Sequence, residues 1–170
     1  MRGFTKLPRT YFQKYSDNPV KIIPFNPRSQ ISTKEYIKRL NSLLSKFKVD
    51  ILLRGSTAFG IAGKGEIEIG VYPLEKDWEE IINILKNNFG AVNNLEENYA
   101  RFNDKFEGFE IEIILLKGYD AVVDKKLTEY MKNSPEVLKR YEELKNKYSY
   151  SKRDYMLQKN KFFEELIKRL

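Results

Sequence analysis

The sequence predicts one α/β (α+β) domain, a mixed sheet flanked by helices with a helical C-terminal tail, and three observations predict it. Its 170 residues suit a single domain able to bury a core without covalent staples. Helical periods alternate with short apolar strand-like runs through the first two thirds of the chain, the pattern of an α/β layer. From Asp120 onward only helical periods remain.

The elements follow in order. Residues 1–30 carry Pro8, Pro19, Pro24 and Pro27 and are expected to lie extended over the domain, with Val20-Lys21-Ile22-Ile23 as a short edge strand. Within them, residues 1–19 form a basic extension bearing Arg2, Lys6, Arg9 and Lys14, suited to touching nucleic acid or simply to solubilising the chain. Residues 20–170 are expected to make the single domain. Ser32 and Glu35 spell a capping box, with Ile31 and Tyr36 as a hydrophobic staple, and open a helix whose apolar face is Ile37, Leu40, Leu44 and Phe47. Val49 to Leu53 reads as a strand, and Glu66 to Tyr72, where glutamate alternates with apolar residues, as a second. Asp77 and Glu80 open another boxed helix with Trp78, Ile81, Ile82, Leu85 and Phe89 on its face, stopped by Gly90. Strand-like pieces follow at 91–95, 99–102 and, most clearly, 109–116. The tail helices break at Asn133-Ser134-Pro135 and near Tyr150-Ser151; Pro135 suits a first helical position, and Ser151 with Asp154 an N-terminal cap.

Composition narrows the chemistry. The chain has no cysteine and no histidine, which removes thiol nucleophiles, Ser-His-Asp triads, histidine bases and ordinary zinc sites together. Catalysis must then rest on carboxylates, Lys, Tyr, hydroxyls or a hard ion held by oxygen, magnesium or manganese. A net charge of +7 and a pI near 9.3 favour anionic partners such as nucleotides or RNA, or else a lysine-rich solvated surface. No run approaches the roughly 20 apolar residues of a membrane span. The N-terminus lacks a signal peptide's apolar stretch, so a cytoplasmic protein without membrane partners is expected.

Chemistry concentrates in Leu53 to Val71, LRGSTAFGIAGKGEIEIGV. Gly55-Ser56 directly after a strand offers unobstructed backbone donors to an anion, and a helix beginning near Thr57 would add its dipole. A plain turn is the competing reading. Glu66 and Glu68, two apart on a strand, share a face and repel unless solvated or bridged by a cation. The alternation recurs at Glu110 and Glu112. If that strand lies beside the first, one of its glutamates completes a three-carboxylate cluster beside the loop, the parts of a two-metal site.

Read together, these features resemble the nucleotidyltransferase superfamily of the DNA polymerase β type, and more closely its GrpB family. Lys21-Ile22-Ile23-Pro24-Phe25-Asn26-Pro27, Gly55-Ser56-Thr57-Ala58 through Lys64, Arg101-Phe102, and the tail stretches Leu127 to Glu136, Tyr141 to Lys145, and Tyr155, Lys159 and Phe162 carry the match. Two departures stand out: Phe59-Gly60 replaces a longer turn, and Glu68 stands where the family has an aspartate. The resemblance implies a nucleotidyltransferase-like sheet and transfer of a nucleotidyl group from an NTP to an unknown acceptor with Mg2+ or Mn2+. Glu66 and Glu68 would hold metal, Glu112 or Glu110 would act as third ligand or base, and Gly55, Ser56, Thr57, Lys64, Arg101 and Lys145 would bind the nucleotide. A catalytically inactive module binding a nucleotide, a CoA-like metabolite or RNA is the alternative. Surface pairing remains open for Arg101 and Lys145; Tyr141, Tyr155 and Phe162 read as tail packing, and Lys159 and Lys161 as a solvated helix face.

Overall fold

The computed structural model describes residues 7–170, so Arg2 and Lys6 of the basic extension lie outside the described residues. Five strands form one sheet: β1 (Val49–Arg54), β2 (Ile67–Pro73), β3 (Asn94–Leu95), β4 (Tyr99–Phe106) and β5 (Phe109–Leu116), in the order β1-β2-β5-β4-β3. Only β2 and β5 run parallel, because β5 returns from the β4 hairpin to insert against β2 at the sheet centre. The helices are α1 (Arg28–Leu43), α2 (Gly55–Phe59), α3 (Trp78–Phe89), α4 (Gly118–Lys132), α5 (Pro135–Tyr148) and α6 (Lys152–Ile167).

The two-residue period of the central strands sorts the side chains. Ile67, Ile69 and Val71 of β2 and Ile111, Ile113 and Leu115 of β5 face one side, where Tyr36, Leu40 and Leu44 and the α3 face Trp78, Ile81, Ile82 and Leu85 bury them. The alternate residues, Glu68, Tyr72, Glu112 and Ile114 among them, therefore face the tail. There α4, α5 and α6 pack Leu127, Met131, Val137, Tyr141, Phe162, Phe163 and Leu166 into a second cluster, against which Phe59 and Ile61 of the glycine-rich segment also pack. The loop is thus fixed to both layers.

Most expected elements form, and the exceptions have local causes. The first helix starts at Arg28, not Ser32, because Asn26 Oδ1 accepts the Arg28 N–H at 3.0 Å and Pro27 already has helical torsions (φ −57°). Ser32 then lies inside the helix and donates to Glu107 at 2.6 Å, while Ile31 is 65% exposed, so neither box nor staple forms. Asp77 makes no capping bond; a 3-10 turn, Glu75–Asp77, leads into α3 instead, and Gly90 stops the helix as expected. The 20–23 strand reduces to one bridge between Ile23 and Gly63. Pro135 opens α5, and Ser151 Oγ accepts the Asp154 N–H at 3.2 Å to cap α6.

The basic extension, from Leu7 on, folds onto the tail. A 3-10 turn, Arg9–Lys14, which the proline spacing concealed, buries Phe12. Asn18 and Ser16 carbonyls accept from Lys152 N–H at 2.8 Å and Arg153 N–H at 3.1 Å, and Arg153 pairs with Asp17 at 3.0 Å. Among the described residues no helix is long and apolar enough to cross a membrane.

Candidate functional site

Parallel register places Glu68 beside Glu112, and Glu66, two residues before Glu68, shares their face. One carboxylate oxygen from each of Glu66, Glu68 and Glu112 lies within 4.8 Å of the others. The sequence expectation that β2 and β5 would bring their glutamates together is therefore met by Glu112. Glu110 stands apart, exposed and paired with Lys105 at 2.8 Å.

The cluster touches the loop. Gly55 has φ +68°, and a Cβ there would stand 2.6 Å from Glu68 Oε2, so only glycine lets the carboxylate lie against the turn. Ser56 follows it, its Oγ accepting from Lys145 Nζ at 3.1 Å. Lys145 also donates to the Ala62 carbonyl, and Glu142 accepts the Ala62 N–H at 3.2 Å, so α5 braces the loop from behind. Thr57, likewise buried, donates to the Glu66 carbonyl at 3.3 Å. Of the six residues assigned to the nucleotide, Thr57 and Lys145 thus shape the loop, while Gly55 and Ser56 line one cavity and Lys64 and Arg101 the other.

Lys145 is 1% exposed, and burial, with the nearby Lys159 charge, pushes its ammonium down to about 8. Folding therefore disfavours the ammonium relative to the unfolded chain. The cost of charging it is fully present below pH 8 and is relieved as pH rises toward 10.5, the ordinary lysine value, so stability should climb between pH 8 and 9.5. Denaturant titrations across that interval should show the climb in the native chain and a flat profile in Lys145→Met; equal slopes would exclude this origin.

Every carboxylate of the cluster has a basic neighbour. Lys64 pairs with Glu66, Arg54 Nε lies 3.7 Å from Glu68, and Arg101 Nη1 lies 3.4 Å from Glu112. Arg54 also holds Asp124 at 2.9 Å, and Asp124 in turn accepts the Tyr72 hydroxyl at 2.6 Å. Burial raises Glu68, but Lys159, Arg54 and Lys64 outweigh it and hold the carboxyl down to about 2. Glu112 moves the other way, raised by burial and by the Glu68 charge. Two like charges held this close leave a repulsion that a divalent cation would relieve, and an all-oxygen ligand set suits magnesium or manganese. The residues present fit such an ion.

Sequence reasoning missed Asp124 and misplaced Lys159. The expected solvated-face lysine points instead into the cleft between α6 and the sheet, its charge opposed by burial but held well above the ordinary lysine range by Tyr141, Tyr155 and Glu68. Lys161 lies in the open groove between α5 and α6, away from the cluster. Tyr141, Tyr155 and Phe162 are buried, as their tail-packing role requires.

Two cavities meet at Glu112 and Lys159. One, with room for only about 60 Å³, runs from Gly55, Ser56 and Glu68 to an apolar wall of Phe59, Leu127, Met131 and Phe163. The other, wider and about 480 Å³, lies between the 9–14 turn and the sheet edge and carries Lys64, Arg101, Lys14, Lys152, Tyr11 and Tyr99.

No protein-family model and no curated protein matches the sequence. Solved structures do match. GrpB from Enterococcus faecalis, described as a conserved protein, aligns with a TM-score of 0.69 at 16% identity, over 88% of this chain and 98% of that one. Cid1, solved with its short product ApU, aligns with a TM-score of 0.50 at 9% identity; 79% of this chain is covered, and the chain spans only 42% of Cid1. At these identities the likeness is one of fold, and there the GrpB resemblance read from the motifs is borne out: the chain has an α/β nucleotidyltransferase-like architecture.

Proposed function

We propose that the chain is a divalent-metal-dependent nucleotidyltransferase that moves a nucleotidyl group from an NTP to an acceptor hydroxyl or amine. The convergence of Glu66, Glu68 and Glu112 against the Gly55-Ser56 turn is the observation that supports this reading best. Glu66, Glu68 and Glu112 would hold Mg2+ or Mn2+. When bound, the ion would offset phosphate charge and polarise the attacking oxygen.

The chain's own groups divide the remaining work. Gly55 and Ser56 present their backbone to the polyphosphate, and Lys64 and Arg101 supply positive charge from the opposite wall. The base lies in the wider cavity, whose room of about 480 Å³ falls in the usual range for small-molecule sites and whose walls carry Tyr11 and Tyr99. In the transfer the acceptor oxygen bonds to the α-phosphorus and the bond to the α–β bridging oxygen breaks, releasing pyrophosphate. Glu112, which faces the cluster from the neighbouring strand, would serve as third ligand or as the base that takes the acceptor's proton.

The ion pairs already made by each glutamate favour one second reading, a binding module on the same fold that holds a nucleotide, a CoA-like metabolite or RNA without transfer. Calorimetry with each NTP plus Mn2+, followed by a search for pyrophosphate release with RNA and small hydroxyl acceptors, separates the two. Glu68→Gln should lower Mn2+-dependent nucleotide binding at least tenfold. Nucleotide binding indifferent to both Mn2+ and Glu68→Gln would exclude the metal-dependent reading, and tight binding without pyrophosphate would leave the module.

A further inference from the structure

The groups suited to phosphate are, in this structure, the counter-ions of the groups suited to metal. Lys64 is paired with Glu66 and Arg101 with Glu112, although both cations also border the wide cavity through which a polyphosphate would reach the cluster. Neither pair is locked. The Lys64 and Arg101 side chains are 39% and 36% exposed, Arg101 meets Glu112 through one nitrogen at 3.4 Å, and its buried Nε makes no hydrogen bond. By contrast Arg54, 11% exposed, is fixed by its 2.9 Å pair with Asp124, although its Nε, 3.7 Å from Glu68, likewise makes no hydrogen bond.

We infer that Lys64 and Arg101 are exchangeable counter-ions that keep the three carboxylates closed to a divalent cation until a polyphosphate draws the two side chains away. The inference rests on the metal-site reading above. Its consequence is positive coupling: each anion that recruits Lys64 and Arg101 uncovers ligands for the cation, and by linkage the cation frees the two side chains for the anion. Metal alone and polyphosphate alone should each bind weakly, and the two together far better. Such an arrangement selects for the metal–polyphosphate pair over either component.

The test is titration of Mn2+ alone, with no phosphate present, followed by electron paramagnetic resonance of the free ion. Lys64→Met/Arg101→Met should bind one Mn2+ about tenfold more tightly than the native chain, the size of a typical coupling between sites. Adding Glu68→Gln to that background should abolish the gain. Lys38→Met/Lys105→Met is the control, because it also removes two positive charges, taken from exposed pairs with Glu35 and Glu110 outside the cluster. Unchanged Mn2+ affinity in the double variant, with binding still lost in Glu68→Gln, would overturn the inference and leave the metal site standing. An equal gain in Lys38→Met/Lys105→Met would overturn it as a mere effect of net charge. Mn2+ binding that ignores Glu68→Gln in every background would remove the metal site and the inference together. Lys64→Gln/Arg101→Gln, which keeps polar surface, guards against a folding artefact and should behave as the methionine pair does.

Discussion

Arg54→Met should lower unfolding free energy by about 3–5 kcal/mol, the usual cost of stranding one member of a buried ion pair, and the melting temperature by about 10 °C for a chain of this length. The reason lies in Asp124 more than in Arg54. Asp124 is buried on α4, with Arg54 at 2.9 Å and the Tyr72 hydroxyl at 2.6 Å. Methionine fills much of the arginine stem's volume but leaves a carboxylate with one neutral donor and no cation. Asp124→Asn on the Arg54→Met background should therefore restore more than half of the loss, because an amide carries no charge to strand and can still accept from Tyr72. Chemical denaturation of the four members of this cycle measures the coupling directly. Additive losses in the double variant would mean that Arg54 stabilises the fold through something other than Asp124.

The carboxylate cluster was only partly legible in the sequence. Glu66, Glu68 and Glu112 were legible because a strand's two-residue period fixes which side chains share a face, and because the apolar continuation of Phe109 to Leu116 marks a central strand. That β5 would lie parallel to β2, with Glu112 in register with Glu68, was not, since a crossover connection carries no local signature of its neighbour. Asp124, Lys145 and Lys159 were missed or misassigned for one shared reason: each is a charged residue inside an apolar helical stripe. Asp124 falls at the spacing of Ala121, Leu127 and Met131; Lys145 follows Val137 and Tyr141 at intervals of four; Lys159 sits between Tyr155 and Phe162. A charge on a buried face must find a partner in the fold, and here all three find one at the loop or the cluster. The helix starts were read less well than the stops. Ser32 looked like a cap because the side-chain pattern ignores that Asn26-Pro27 had already satisfied the first turn.

Gly55→Ala should abolish Mn2+ binding while Gly60→Ala leaves it intact, although the two glycines have almost the same backbone, φ +68° and +67°. The shared torsion sets a common cost of about 1–2 kcal/mol for an L side chain held in the left-handed region. What differs is the space beside the Cα. At Gly60 nothing lies within 4 Å of an added Cβ, whereas at Gly55 the Glu68 carboxylate stands at 2.6 Å from Oε2 and 2.8 Å from its carbon. Relief at Gly55 requires either the turn or Glu68 to shift, and a shift of Glu68 moves it against the pull of the positive charges of Arg54, 3.7 Å away, and Lys159 that surround it. A shift of even a few tenths of an ångström matters to an ion that demands near-ideal octahedral ligands. Measured side by side, both variants should lose the shared backbone cost, Gly55→Ala the more for its clash, and show opposite outcomes in Mn2+ titration. Equal retention of Mn2+ in both would mean that the carboxylate cluster can rearrange independently of the turn, and that the close contact between Gly55 and Glu68 has no part in ion binding.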